Sequence, residues 1–385
     1  MALRMVAVAM VWHVSVLTKS TLSVGFLGLS EVVPAVAFAL YAGHVVDVSD
    51  RRKLLIRSML FYFASIVLLL IITSSKAEQS FSPHIISIGI YTCIFFTGVI
   101  RSFSGPAMNA LTAQVSSREN LPKAVTMSSA SWQVASVVGP LLTGFLIALG
   151  GATYTIVFIL FCVVIATFCM SKIKPKPVLV AKNEKKTWES VKEGIRFVMH
   201  TKTILGALSL DLFAVFFGGA TAMLSFYVTD ILKVGPIWFG WLNAATSIGT
   251  IGVLIAISIR PLQGRQGKTL LYAVAGFGLC IIVFGLSKNV WLSLAALFLS
   301  GVFDGLSVVI RSTIMQLFVP DEMRGRVASV NSMFINSSNE LGQFESGVAA
   351  RGMGTVPSVV FGGCMTLIVV VATWLKAPAL KKMEY

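Results

Sequence analysis

Ionisable side chains set inside apolar runs are the residues of this 385-residue sequence best suited to chemistry. Glu31, Asp211 and Asp304 each stand in a run of apolar residues, and so do Arg101 and Arg311. A charge in such a place costs about 3 kcal/mol or more unless it meets a partner or a water-filled cavity. A carboxylate that takes and releases a proton there is a candidate carrier. Glu31 and Asp211 have no partner evident in their own segments, which leaves proton carriage and a hydrogen bond to another helix equally open. Arg311 follows Asp304 by seven residues, so the two project from one helix face and are expected to pair. A permanent pair would make Asp304 structural; an impermanent one leaves it a third candidate proton site.

Other chemistry lacks its residues. No Gly-x4-Gly-Lys-Ser/Thr, HExxH or GxSxG pattern occurs, so neither a nucleotide-driven motor nor an enzyme is expected. His13, His44, His84 and His200 have no metal-ligand spacing, and only His13 lies well inside an apolar run. Cys93, Cys162, Cys169, Cys280 and Cys364 sit in apolar runs without CxxC spacing and read as packing residues. No metal and no cofactor are expected.

Two further groups could meet a ligand. Ser332, Asn336, Asn339, Glu340 and Gln343 recur at three- and four-residue steps and share one helix face. Facing lipid, that stripe would be too costly, so it faces either protein or a water-filled cavity. Ser129, Gln133 and Ser136 form a shorter stripe of the same kind, and Trp12, His13, Phe38 and Trp132 offer aromatic surface. The segment GHVVDVSDRRK, residues 43–53, carries a different signal. Gly43 would let two helices approach, and Asp47 would meet a helix N-terminus or a basic group. Arg51, Arg52 and Lys53 would bridge to that carboxylate, in a gate or in an ordinary basic loop.

The elements that must position these residues are membrane helices. Hydrophobic residues make up 56% of the chain and charged ones 12%, against about a quarter charged in a soluble domain. That excludes a soluble enzyme or a nucleic-acid-binding module. The net charge of +15 would fit nucleic acid in a soluble protein, but basic residues also collect in the cytoplasmic loops of membrane proteins. Twelve apolar segments are long enough for the bilayer, at roughly 2–18, 22–46, 54–73, 84–114, 124–148, 150–171, 203–229, 237–259, 269–286, 290–317, 326–350 and 355–375. The first is short, carries Arg4 and lacks a leader, so it is either truncated or begins upstream. With both termini in the cytoplasm, the inner loops and tail hold 22 Lys and Arg and the outer loops five. The expected location is a bacterial inner membrane.

The expected domains are a six-helix half at 1–171, a cytoplasmic linker at 172–202 and a second six-helix half at 203–385. In the linker, Trp188, Val191, Ile195 and Val198 recur at helical spacing opposite Lys192, Glu193 and Arg196, as in a helix lying on a membrane surface. A solvated linker is the other reading. The halves repeat: at an offset of 203 residues Gly98 meets Gly301, Ser104 meets Ser307, Glu119 meets Glu322, Gly139 meets Gly342 and Gly144 meets Gly347. Two six-helix repeats are an architecture of secondary transporters, which bind substrate between the halves near mid-membrane.

At this point a resemblance becomes specific. Residues 43–53 resemble motif A of the major facilitator superfamily, with Gly43, Asp47, Arg51 and Arg52 at its key positions, although Val48 and Asp50 replace its usual basic residue and glycine. Arg101 and Gly105 resemble the Arg-x-x-x-Gly core of motif B, and Gly139, Pro140 and Gly144 resemble motif C, the antiporter signature, with Thr143 in place of a glycine. Segments such as SLDLFAVFFGGATAM and PDEMRGRVASVNSMF resemble the transmembrane secretion effector branch, which includes siderophore and macrolide exporters. The resemblance implies an all-α facilitator fold of twelve helices. It also implies alternating-access export of a small amphipathic molecule against protons, by a monomer without a nucleic-acid partner. It implies a proton-coupling role for Arg101, against which a structural salt bridge stands as the other reading. A facilitator or importer of a metabolite or lysolipid, and a non-transporting receptor, remain open.

Overall fold

The computed structural model describes residues 1–117, 119–174, 187–262, 264–320, 323–381, 383 and 384. The side chains of Asp47 and Asn336 lie outside the described residues, as do residues 175–186 of the expected linker. The chain divides into two compact units, 1–187 and 188–385. Among the described residues there is helix and turn but no strand.

The first unit holds α1 (Ala2–Thr18), α2 (Thr21–Val48), α3 (Arg51–Ile72), the short α4 (Ser75–Ser80), α5 (Pro83–Val115) and α6 (Leu121–Ser171). Polar residues at the segment ends start these helices. Ser20 caps α2 by accepting from the Ser23 N–H, and Asp50 caps α3 by accepting from the Lys53 N–H at 3.1 Å. Asp50, where motif A has glycine, therefore serves as a helix start. At 51 residues, α6 would run about 77 Å if straight, more than twice the ~30 Å hydrocarbon core. It breaks into two helices at a kink at Gly150 and Gly151, and Gly151 adopts φ 72°, ψ −163°, a conformation open essentially to glycine alone. This single helix thus contains the two expected segments 124–148 and 150–171.

The second unit opens with α7 (Thr187–His200) and α8 (Lys202–Phe217). A 3₁₀ turn at Ala220–Met223, the short α9 (Leu224–Phe226) and a π turn at Tyr227–Ile231 continue α8 past Gly218 and Gly219. Then come α10 (Pro236–Ile259), α11 (Gln266–Leu286), α12 (Val290–Phe318), α13 (Arg324–Met353), α14 (Thr355–Lys376) and α15 (Pro378–Lys381). Among the described residues, nine helices are long and apolar enough to cross a membrane. Counting α6 twice and adding α1, which is 17 residues long, and α13, whose polar face lowers its hydropathy, gives the twelve expected traverses.

The two units use the same helix pairings. In the first, α1 packs on α6, α2 on α5, and α3 on both α5 and α6. In the second, α8 packs on α13, α10 on α12, and α11 on both α12 and α14. The repeat-related glycines fall at matching contacts. A Cβ on Gly98 would lie 2.6 Å from the Glu31 carbonyl of α2, and one on Gly301 would lie 1.9 Å from the Thr246 carbonyl of α10. A Cβ on Gly139 would meet Arg4 Cβ of α1 at 3.3 Å, and one on Gly342 would meet the Phe216 carbonyl of α8 at 2.8 Å. These repeat-related glycines therefore lie at close helix contacts in both units.

The linker helix packs in part against the second unit. Ile195 is exposed while Val198 is buried in the second unit's core with Leu208, Leu271, Ile310 and Val327. Gly194 lies against the Arg326 backbone, and Glu193 pairs with Arg326 at the start of α13. Of the apolar residues of α7 at helical spacing, Val198 thus serves protein packing, and the side chains of Trp188 and Val191 lie outside the described residues.

Candidate functional site

The charged residues inside the helices are brought together in pairs that their own segments do not reveal. In the first unit Gly98 lets α5 approach the backbone of α2. One turn further along α5, Arg101 reaches across that contact and its Nη1 pairs with Glu31 Oε1. Glu31 is therefore partnered by a helix 70 residues away. The two side chains keep 19% and 35% exposure, so the pair is not sealed off.

In the second unit the expected Asp304–Arg311 pair is corrected. Arg311 Nη1 pairs instead with Asp211 Oδ2 of α8, and these side chains are only 7% and 8% exposed. The reason is tertiary: α8 packs on α12 and brings Asp211 to Arg311. Asp304 lies two turns before Arg311 and feels its charge, but the ion pair is made to Asp211. Asp211, expected without a local partner, is thus the tightly held carboxylate, and Asp304 is the one left over. A small cavity of about 10 Å³ lies against Asp211, Asp304, Ser307, Val274 and Phe277.

Of the motif A residues, Gly43 is corrected: a Cβ there would meet nothing within 4 Å, so no helix approach depends on it. Arg52 Nη2 donates to the Ser171 carbonyl at 2.6 Å, tying the start of α3 to the last carbonyls of α6. Lys53 stays near Asp50 at 3.8 Å. Gly105, like Gly43, has open space at its Cβ position. Pro140 and Gly144 are buried within α6. The Arg4 guanidinium stacks over the Trp132 ring at 4.9 Å, which accounts for an arginine in the first apolar segment.

The polar stripe of α13 is uneven. Ser332 and Asn339 are exposed, and the Asn339 amide turns back to donate to the Ile335 carbonyl of its own helix. Glu340 and Gln343 are half-buried. On α6, Gln133 is half-buried and its carbonyl accepts from Ser136 Oγ. His13 Nε2 of α1 lies 3.5 Å from Glu78 of α4, a contact the sequence did not suggest. Among the described residues no group of three or more His, Cys, Asp or Glu could hold a metal ion.

Comparison with known proteins agrees with this architecture. The family model described as transmembrane secretion effector matches residues 2–385. The MFS-type transporter YfmI of Bacillus subtilis is 23% identical over 317 residues, 80% of this chain and 73% of that protein. The enterobactin exporter EntS of Shigella flexneri is 26% identical over 246 residues, 62% of this chain and 57% of the exporter's length. The exporter of the same name from Escherichia coli O127:H6 is 24% identical over 335 residues, 85% of this chain and 76% of that protein. Among solved structures, a bacterial homologue of the iron transporter ferroportin in an inward-facing state matches with TM-score 0.75 and 12% identity, over 99% of this chain and 95% of that one. The nucleoside transporter NupG matches with TM-score 0.73 and 10% identity, over 97% and 98%.

Proposed function

The chain belongs to the transmembrane secretion effector family of major facilitator transporters, and from that premise we propose that it exports a small amphipathic molecule in exchange for protons. A siderophore, a macrolide or another drug is the substrate class, by alternating access in a bacterial inner membrane with both termini cytoplasmic. The observation that carries the reading is the set of ion pairs inside the membrane helices, Glu31 with Arg101 and Asp211 with Arg311, with Asp304 beside the second. Purely structural packing has little use for five charges there, since hydrophobic side chains of similar volume serve as well or better. Protonation of a carboxylate changes the charge of such a cluster, so it can bias two conformations differently. The relatives described as enterobactin exporters support export as the direction of transport.

In this reading Glu31, Asp211 and Asp304 are the carboxylates to examine, and Gln133, Ser332, Asn336, Asn339, Glu340 and Gln343 contact substrate. Asp47 with Arg51 and Arg52 gates the cytoplasmic side. The test is purified protein in proteoliposomes carrying a pH gradient, challenged in turn with a catecholate siderophore, a macrolide and a cationic dye. Gradient-dependent movement of at least one supports the reading. Movement that ignores the gradient contradicts proton exchange, and tight binding without movement favours a receptor.

A further inference from the structure

The α8–α12 cluster has one basic group for two acids. Arg311 is 94% buried and committed to Asp211, whose side chain is 92% buried. Asp304, Ser307 and Arg311 stand at i, i+3 and i+7 on one face of α12, with Asp211 of α8 opposite. Ser307 is 3% exposed and lines the cavity shared with Asp211 and Asp304. Among the described residues neither Ser307 Oγ nor Arg311 Nε has a hydrogen-bond partner. Buried polar atoms are rarely left so, and the cavity of about 10 Å³ is the space of one water molecule. Two ionised carboxylates against one guanidinium would leave a net negative charge beside Val274, Phe277 and Phe303, with Asp304 itself half-buried. Such a charge is normally removed by a proton or a bound cation.

We propose that this cavity is a single-proton site, in which Asp304 takes and releases the proton while Asp211 remains the fixed partner of Arg311. The site rests on the proton-coupled reading above and names its carrier. In the protonated state the Asp304 hydroxyl and Ser307 Oγ share one water in the cavity. On release, the Asp304 carboxylate competes with Asp211 for Arg311, whose Nε has no hydrogen-bond partner. Partner exchange by Arg311 would pull α8 and α12 into a different register, so proton occupancy becomes a change in helix packing within this unit. The groups facing Asp304 are few. α8 supplies only Asp211, α10 has no titratable residue, and α11 reaches the cavity through Val274 and Phe277. α13 meets α8 at Gly342 and carries Glu340 and Glu345, neither of which lines the cavity, and α14 meets α8 through Thr366. A proton rather than a metal ion is favoured because one water-sized space with three oxygen-bearing side chains is too small a shell for sodium.

The test is infrared difference spectroscopy of the purified full chain, titrated across the neutral range without substrate, so that its outcome does not depend on transport. One protonated-carboxyl band that disappears as pH rises is expected. It should be absent in Asp304→Asn. In Asp211→Asn it should be lost at neutral pH, because the freed Arg311 then pairs with Asp304. Ser307→Ala keeps the carboxyl and should shift the band frequency, which serves if either Asp variant fails to fold. A band that survives Asp304→Asn, or survives Asp211→Asn at neutral pH, overturns the assignment. So does an unshifted band in Ser307→Ala, or loss of the band on replacing potassium with sodium at fixed pH. If these spectra behave as expected but no compound moves in a proton gradient, the site stands and the export reading fails.

Discussion

Adding one methyl group at Gly301 should destabilise the second unit far more than adding one elsewhere on the same helix pair. The methyl of Gly301→Ala would sit 1.9 Å from the Thr246 carbonyl oxygen, and its next neighbours are also backbone atoms of α10. A normal contact is about 3.4 Å, so α10 and α12 must separate locally by about 1.5 Å. Overpacking of this kind costs about 1–3 kcal/mol. The hydrogen bond from Thr250 Oγ1 to the Gly301 carbonyl, 3.0 Å long, stretches as well and adds about 0.6 kcal/mol. At about 2–4 °C per kcal/mol for a unit of this size, a total of about 3 kcal/mol lowers the melting temperature by about 6–12 °C. Gly252→Ala on α10 is the control, because a Cβ there meets nothing within 4 Å. Thermal unfolding of the purified protein in detergent, followed by size-exclusion recovery, reads both variants. A Gly301→Ala protein as stable as Gly252→Ala would refute the claim that the repeat glycines set the helix approach.

Four more outcomes are expected. Gly151→Ala should cost about 1–3 kcal/mol through strain at φ 72° alone, seen as reduced thermal stability, since its Cβ position is open space. Asp47→Asn should reduce transport without reducing the amount of protein in the membrane; full transport would remove it from the gate. Arg326→Ala breaks a pair that is 29% and 39% exposed, so it should cost under about 1 kcal/mol in a salt-dependent melting assay. A cysteine at Ser332, in a protein whose exposed Cys169 and Cys364 are replaced by Ala, should react with a water-soluble thiol reagent and be protected by substrate; no reaction from either side of the membrane would assign the stripe to lipid or packing.

The fold was legible because bilayer length and hydropathy are one-dimensional signals. Arg4 was puzzling in sequence only because its partner, the Trp132 ring, is more than a hundred residues away. The 203-residue offset was also legible, and Gly98, Gly301, Gly139 and Gly342 each mark a close helix contact. The ion pairs were not. Asp304 and Arg311 share a helix face, which is visible from spacing, but α8 brings Asp211 to Arg311 first, and nothing in the sequence of α12 records which helix crosses it. For the same reason the sequence of α2 alone does not reveal the partner of Glu31, which α5 supplies. Gly43 shows the opposite failure: a motif position suggested a close approach where the helix has free space. Motifs report residue types, whereas partners depend on the helix crossings.

Everted membrane vesicles containing the chain, energised by respiration and given a panel of fluorescent amphipathic compounds, test the central claim most directly. The account predicts that at least one compound accumulates inside and is released at once by a protonophore. Accumulation that persists with the gradient collapsed would contradict proton-driven export.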